Sequence, residues 1–310
     1  MQHPADLVRT AGLMGELQDL KRLQPAHLSH SVATDLFLRA WQHILAGQDV
    51  EQVALDTTLR ALLNILFPGV DGRFFTVARL DPPAITEVLR TALRRVCDGA
   101  VDSVLERQLE QMVPTLAQEF AHLPAEQPID VPQPLRVLCN QPRAGATHPQ
   151  LPRLVLSPPE MHSDHCLMTA VYAVVMAHRY GADYGTSFLG ALAHHLHNAY
   201  LPDCGYAGEI CLGAHLQAVI DNCRQEALSH FPTQLRPRIL EALYHHERSD
   251  TPEGKAISAG DVLDRVIDVK WRTRAAAVTD QDILGELDLV HPGPLKSFQT
   301  ELLSSTGLWR

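Results

Sequence analysis

The sequence predicts an all-α fold. Apolar residues recur at helical spacing on both sides of one proline-rich stretch, and only 5% of the 310 residues are aromatic. With 45% hydrophobic and 20% charged residues, the chain has the composition of an ordinary globular protein rich in Ala, Leu and Val. So few aromatics, with 18 glycines, disfavour an all-β sandwich. The length allows one large domain or two of moderate size, with enough chain for a substantial core.

In the first 123 residues the spacing is helical throughout. Leu59, Leu62, Leu63 and Leu66 recur at i, i+3, i+4 and i+7, one face of a helix that Pro68-Gly69 ends. Val101, Val104, Leu105, Leu109, Met112, Val113, Leu116 and Phe120 mark a longer helix, with Pro114 as a kink or break. His27, His30 and His43 read as surface or capping residues. This segment, 1–123, is expected to be a helical domain used for packing or for homodimer formation. Nine prolines then fall within 36 residues, 124–159, which read as a linker. Two short apolar runs in it, Leu135–Cys139 and Leu154–Leu156, predict a small hairpin. Helical spacing resumes at Glu160, and 160–310 reads as the second helical domain.

Twenty-six Lys+Arg against 36 Asp+Glu give a net charge of −10, which argues against general binding to nucleic acid or anionic membranes. The longest nearly apolar run, Cys166 to Ala177, is shorter than the about 20 residues a membrane-spanning helix takes. The N-terminus has no charged start followed by an apolar run, so no signal peptide is expected. Six cysteines without a CxxC pair predict reduced thiols and a cytoplasmic protein.

Histidine is the anomaly. Ten of 17 lie between His162 and His246. His162 and His165 open a largely apolar helix, His194, His195 and His197 follow Leu192-Ala193, Glu209 and His215 come next, and His245, His246, Glu247, Asp261 and Asp264 close the series. A buried imidazole or carboxylate needs a partner. Imidazoles and carboxylates entering a bundle core from several antiparallel helices are how helical folds build metal sites. Asp261 follows Ile257, Ser258, Ala259 and Gly260, all small or apolar, and so predicts such a partner. Cys204 and Cys211 read as packing thiols.

The arrangement resembles the HD-domain metalloenzyme superfamily over about residues 160–274. His165, the apolar stretch to Ala177 and Gly181, the run GALAHHLHNAYLPD, and HHER followed by AGDVLD are similar to the ligand-bearing segments of that family. The resemblance implies an HD-type helical bundle preceded by the other helical domain, and the ligands His165, His194, His195, His215, His245 and Asp261. His162, one helical turn earlier, competes for the first role. It also implies one or two divalent transition-metal ions, Fe, Mn, Co, Ni or Zn. His195 stands where the family has the Asp that bridges two ions, and Asn198 where many relatives place Lys or Glu. The leading expectation is a metal-dependent hydrolase of an anionic, phosphorylated small molecule such as a nucleotide, with Asn198, Asp203 or Glu209 orienting the attacking water. Arg248, Lys255 and Arg265, in a basic cluster near the last ligands, are the expected substrate-binding residues. A di-iron oxygenase and a degenerate, non-catalytic sensor or scaffold are the alternatives.

Overall fold

A computed structural model describes residues 4–123, 130–154, 157–246, 248–273 and 289–308 of the chain. The fold is all-α. In order, the helices are α1 (Pro4–Leu17), α2 (Val32–Leu45), α3 (Val50–Leu66), α4 (Gly72–Ala78), α5 (Pro82–Cys97), α6 (Ser103–Phe120) and α7 (Gln133–Asn140). After one hairpin come α8 (His162–Tyr180), α9 (Tyr184–Ala193), α10 (Gly205–Leu212), α11 (Leu216–Ser229), α12 (Arg236–His246), α13 (Pro252–Thr273) and α14 (Lys296–Ser305). Among the described residues, no helix is long and apolar enough to cross a membrane.

Local chemistry sets the boundaries. Ser31, Asp49, Asp71, Asp81, Asp102 and Asp183 each cap a helix by accepting a backbone N–H in its first turn. The leucine stripe expected on α3 is buried at Leu59, Leu62 and Leu63 and emerges at Leu66, the helix's last residue. Pro114 lies inside α6 without ending it. The run Leu135–Cys139 is not a strand but most of α7, whose Pro134 sits in the first turn, where a missing N–H costs nothing. The hairpin pairs β1 (Ala146–His148) with β2 (Leu151–Leu154) instead. Val155 and Leu156 of the expected second strand lie outside the described residues.

The centre of the molecule is α8, buried at every position from His162 to Ala177. A helix apolar on all sides must be surrounded. α13 lies along it, α9 packs beside it, and α2, α3 and α7 cover the rest. Gly260 makes the α8–α13 contact possible, since a Cβ there would come within 2.5 Å of the Thr169 carbonyl oxygen. The proline-rich stretch therefore does not divide two cores. Helices from 1–123 and from 160–310 share one continuous apolar cluster, running from Trp41 and Leu62 through Tyr172 to Val262.

Candidate metal centre

Three elements bring the site together. α8 carries His165, α13 carries Asp261 and Asp264, and α9 ends at His194 and His195. Adjacent residues on a continuous helix point about 100° apart. Here α9 stops at Ala193, and a 3-10 turn over Leu196–Ala199 follows, so both histidines face the cluster. The His194 and His195 rings lie 4.1 Å apart, and each lies 5.1 Å from the His165 ring. One ring nitrogen from each of the three falls within 4.8 Å of the others.

Hydrogen bonding fixes which nitrogens face inward. His165 Nδ1–H donates to Asp264 Oδ2 at 2.7 Å, and His194 Nδ1–H to the Ala191 carbonyl at 2.5 Å. His195 Nδ1–H donates to Asn198 Oδ1 at 2.7 Å, and the Asn198 amide nitrogen donates in turn to the Leu201 carbonyl. All three partners are oxygen acceptors, so in each neutral ring Nε2 keeps its lone pair. His165 and His194 point those lone pairs at each other across 3.2 Å, and Asp261 Oδ1 stands 3.3 Å from His165 Nε2. Acceptors converging without a donor are what a bound cation resolves, and a second hydrogen bond orienting each ligand imidazole is the usual support of a metal. The residues could hold a metal ion.

The electrostatics agree. Burial holds the pKa values of His194 and His195 well below the ordinary histidine value, helped by neighbouring imidazoles, so both rings are neutral ligands. Burial alone would raise the Asp261 carboxyl, but the Arg265 guanidinium, 2.6 Å away, holds it well below the ordinary carboxylate range. Beside the cluster lies a cavity of about 340 Å³, whose wall includes His195, His246, Asn198, Asp203, Arg143 and Arg265.

The expected site residues divide. His165, His194, His195 and Asp261 come together. His162 is buried, but its Nδ1 pairs with the Gln141 carbonyl and its Nε2 is 3.6 Å from Asp203, so it stands behind His195 rather than competing with His165. His245 is turned away, toward the Thr251 hydroxyl (3.1 Å) and Glu253 (3.9 Å). The neighbouring His246 faces the cluster instead, its ring 5.1 Å from that of His194. One step along α12 rotates the side chain out of the site, which is why the sequence pair HHER leaves the choice open. His215 is exposed beyond α10 and does not join. Glu247 lies outside the described residues.

Asn198, Asp203 and Glu209 all line the cavity. Asp203 accepts the backbone N–H groups of Ala144 and Gly205, and Glu209 has its pKa raised by burial and by Asp203. Of the expected substrate residues only Arg265 lines the cavity, with Nη2 on Asp261 at 2.6 Å and Nη1 on the Leu289 carbonyl. Arg248 is on the surface, paired to Asp250 and lying over the Tyr244 ring, and Lys255 does not reach the cavity wall. The residues that sequence reasoning missed are Arg143, Glu160 and Lys21. Arg143 lies inside the proline-rich stretch and Glu160 directly after it, and no local pattern marks any of the three. Compared with models of protein families, with curated proteins and with solved structures, the chain matches none.

Proposed function

We propose that the protein is a metal-dependent hydrolase of a phosphorylated small molecule, built on an HD-type helical bundle. The observation that carries the reading is the convergence of His165, His194 and His195 with Asp261 beside a cavity large enough for a small ligand. A divalent ion held there supplies Lewis acidity toward a phosphoryl oxygen. Imidazole-rich ligation suits a transition metal over Mg²⁺.

The chain's own groups take the remaining tasks. The cavity wall carries the carboxylates Glu160, Asp203, Glu209, Asp261 and Asp268 against the guanidinium groups of Arg143 and Arg265. Arg265 lines the cavity and supplies a positive charge for a substrate oxygen. Burial and the neighbouring Asp203 raise the Glu209 pKa, which favours it among the cavity carboxylates as general acid toward the leaving group. Asn198 keeps His195 turned to the cluster through the hydrogen bond from Nδ1.

Metal analysis of the purified protein, with turnover of p-nitrophenyl phosphate and bis(p-nitrophenyl) phosphate, tests the reading. Hydrolysis that a chelator abolishes and Mn²⁺ or Co²⁺ restores is the expected result. Iron with oxygen consumption and no hydrolysis moves the assignment to the oxygenase, and absence of any bound metal moves it to a scaffold.

A further inference from the structure

The described residues contain a second buried group of ligand-type side chains, Glu160, His165 and Asp264, with donor atoms within 4.8 Å of one another. Its cation is already present and is the protein's own. Lys21 Nζ lies 2.5 Å from Glu160 Oε1 and 2.7 Å from Asp264 Oδ1, with the side chain 1% exposed. Lys21 ends the 3-10 turn Gln18–Lys21 that follows α1, and Gln18 of the same turn donates to Asp264 Oδ1 at 2.7 Å.

We infer that Lys21 is a positioning residue of the metal centre, its ammonium taking the place of a second cation on the Nδ1 side of His165. The inference rests on the reading of His165, His194 and His195 as a metal site. Asp264 Oδ2 accepts the His165 Nδ1–H, so the carboxylate that orients this ligand is anchored by the ammonium. The other arm runs from Lys21 to Glu160 and on to Arg143, 3.3 Å away, which lines the cavity. One charge thus holds both a ligand and a cavity cation in place. Burial alone would lower the Lys21 pKa, but Asp264 and Glu160 outweigh it and raise it. Burial would likewise raise Glu160, which Lys21 and Arg143 instead bring down to about 2. Removing the ammonium leaves Glu160 with Arg143 alone and Asp264 buried without a cation, and a carboxylate so uncompensated has to shift, which releases His165.

Titration of the metal-stripped full chain with Co²⁺ tests this, read by visible absorption and by competition with a chromophoric chelator. Lys21→Met is expected to weaken Co²⁺ binding about 10–100-fold, as losses of outer-shell support do, and to alter the ligand-field bands. Lys21→Arg should recover most of both. Lys21→Gln, which keeps a donor but not the charge, serves if the methionine variant does not fold. Arg60→Met is the control for general loss of stability. It removes ion pairs to Asp56 (2.7 Å) and Glu119, neither of which belongs to the cluster or the cavity wall. It should lower Tm and leave Co²⁺ affinity and spectrum unchanged. Wild-type affinity and spectrum in the Lys21 variants, or equal losses in Arg60→Met, overturn the inference. Wild-type protein whose Co²⁺ spectrum is indifferent to His194→Ala overturns the metal reading itself.

Discussion

At the scale of single residues the site turns on which nitrogen faces which neighbour. His194 has only one nitrogen left for a ligand, because the Ala191 carbonyl takes the other. His194→Ala should therefore lower metal affinity by at least about 10–100-fold, measured by chelator competition. His245→Ala should leave affinity unchanged, since that ring is held by Thr251 outside the cluster. The contrast separates a site read from spacing from one read from geometry. His195 poses the opposite question. It stays turned toward His165 and His194, and we propose, from the HD-domain resemblance, that it stands where a carboxylate would bridge two ions. An Asp there offers two oxygens and a charge, where a neutral imidazole offers one nitrogen. His195→Asp should accordingly raise the metal content per chain in elemental analysis, and an unchanged stoichiometry would count against a bridging position.

At the scale of elements, the approach of α13 to α8 decides whether the ligands meet. A Cβ at Gly260 would lie 2.5 Å from the Thr169 carbonyl oxygen, so Gly260→Ala must push the helices apart. The expected cost is about 1–3 kcal/mol in denaturant unfolding. Because the neighbouring Asp261 and Asp264 both touch His165, metal affinity should fall with it. The start of α8 carries a second consequence. Asp164 caps the helix through the Met161 N–H and accepts from Ser31 and Thr34, yet burial raises its pKa to about 6. A carboxyl with a raised folded-state pKa binds its proton more tightly folded than unfolded, so the fold loses stability as pH rises from about 4 through 6. The loss attributable to this group is about 3 kcal/mol at pH 7, at 1.36 kcal/mol per pKa unit. Asp164→Asn in chelated protein should flatten that part of the stability-against-pH curve, and an unaltered slope would refute the assignment.

For the molecule as a whole, a cation held at the proposed site would couple to folding. The ligand lone pairs face one another only in the folded chain, so metal should raise Tm and chelator lower it. At a hundredfold excess over Kd the gain is about 2.7 kcal/mol, and differential scanning calorimetry with and without Co²⁺ measures it. The helical class was legible from the sequence because amphipathic periodicity is local. The stripe Leu59, Leu62, Leu63 acts within a few residues of where it is written. His165, His194, His195 and Asp261 were legible too, since polar groups in apolar helices call for partners wherever the chain puts them. Leu135–Cys139 misled because a five-residue apolar run has no period long enough to distinguish strand from helix. The choice of His246 over His245 came only with the fold, because a 100° step along α12 means nothing until α9 lies opposite. The same holds for Lys21, Glu160 and Asp264. They are separated by more than a hundred residues of chain, and charge compensation in a core depends on distance in space, which no local pattern encodes.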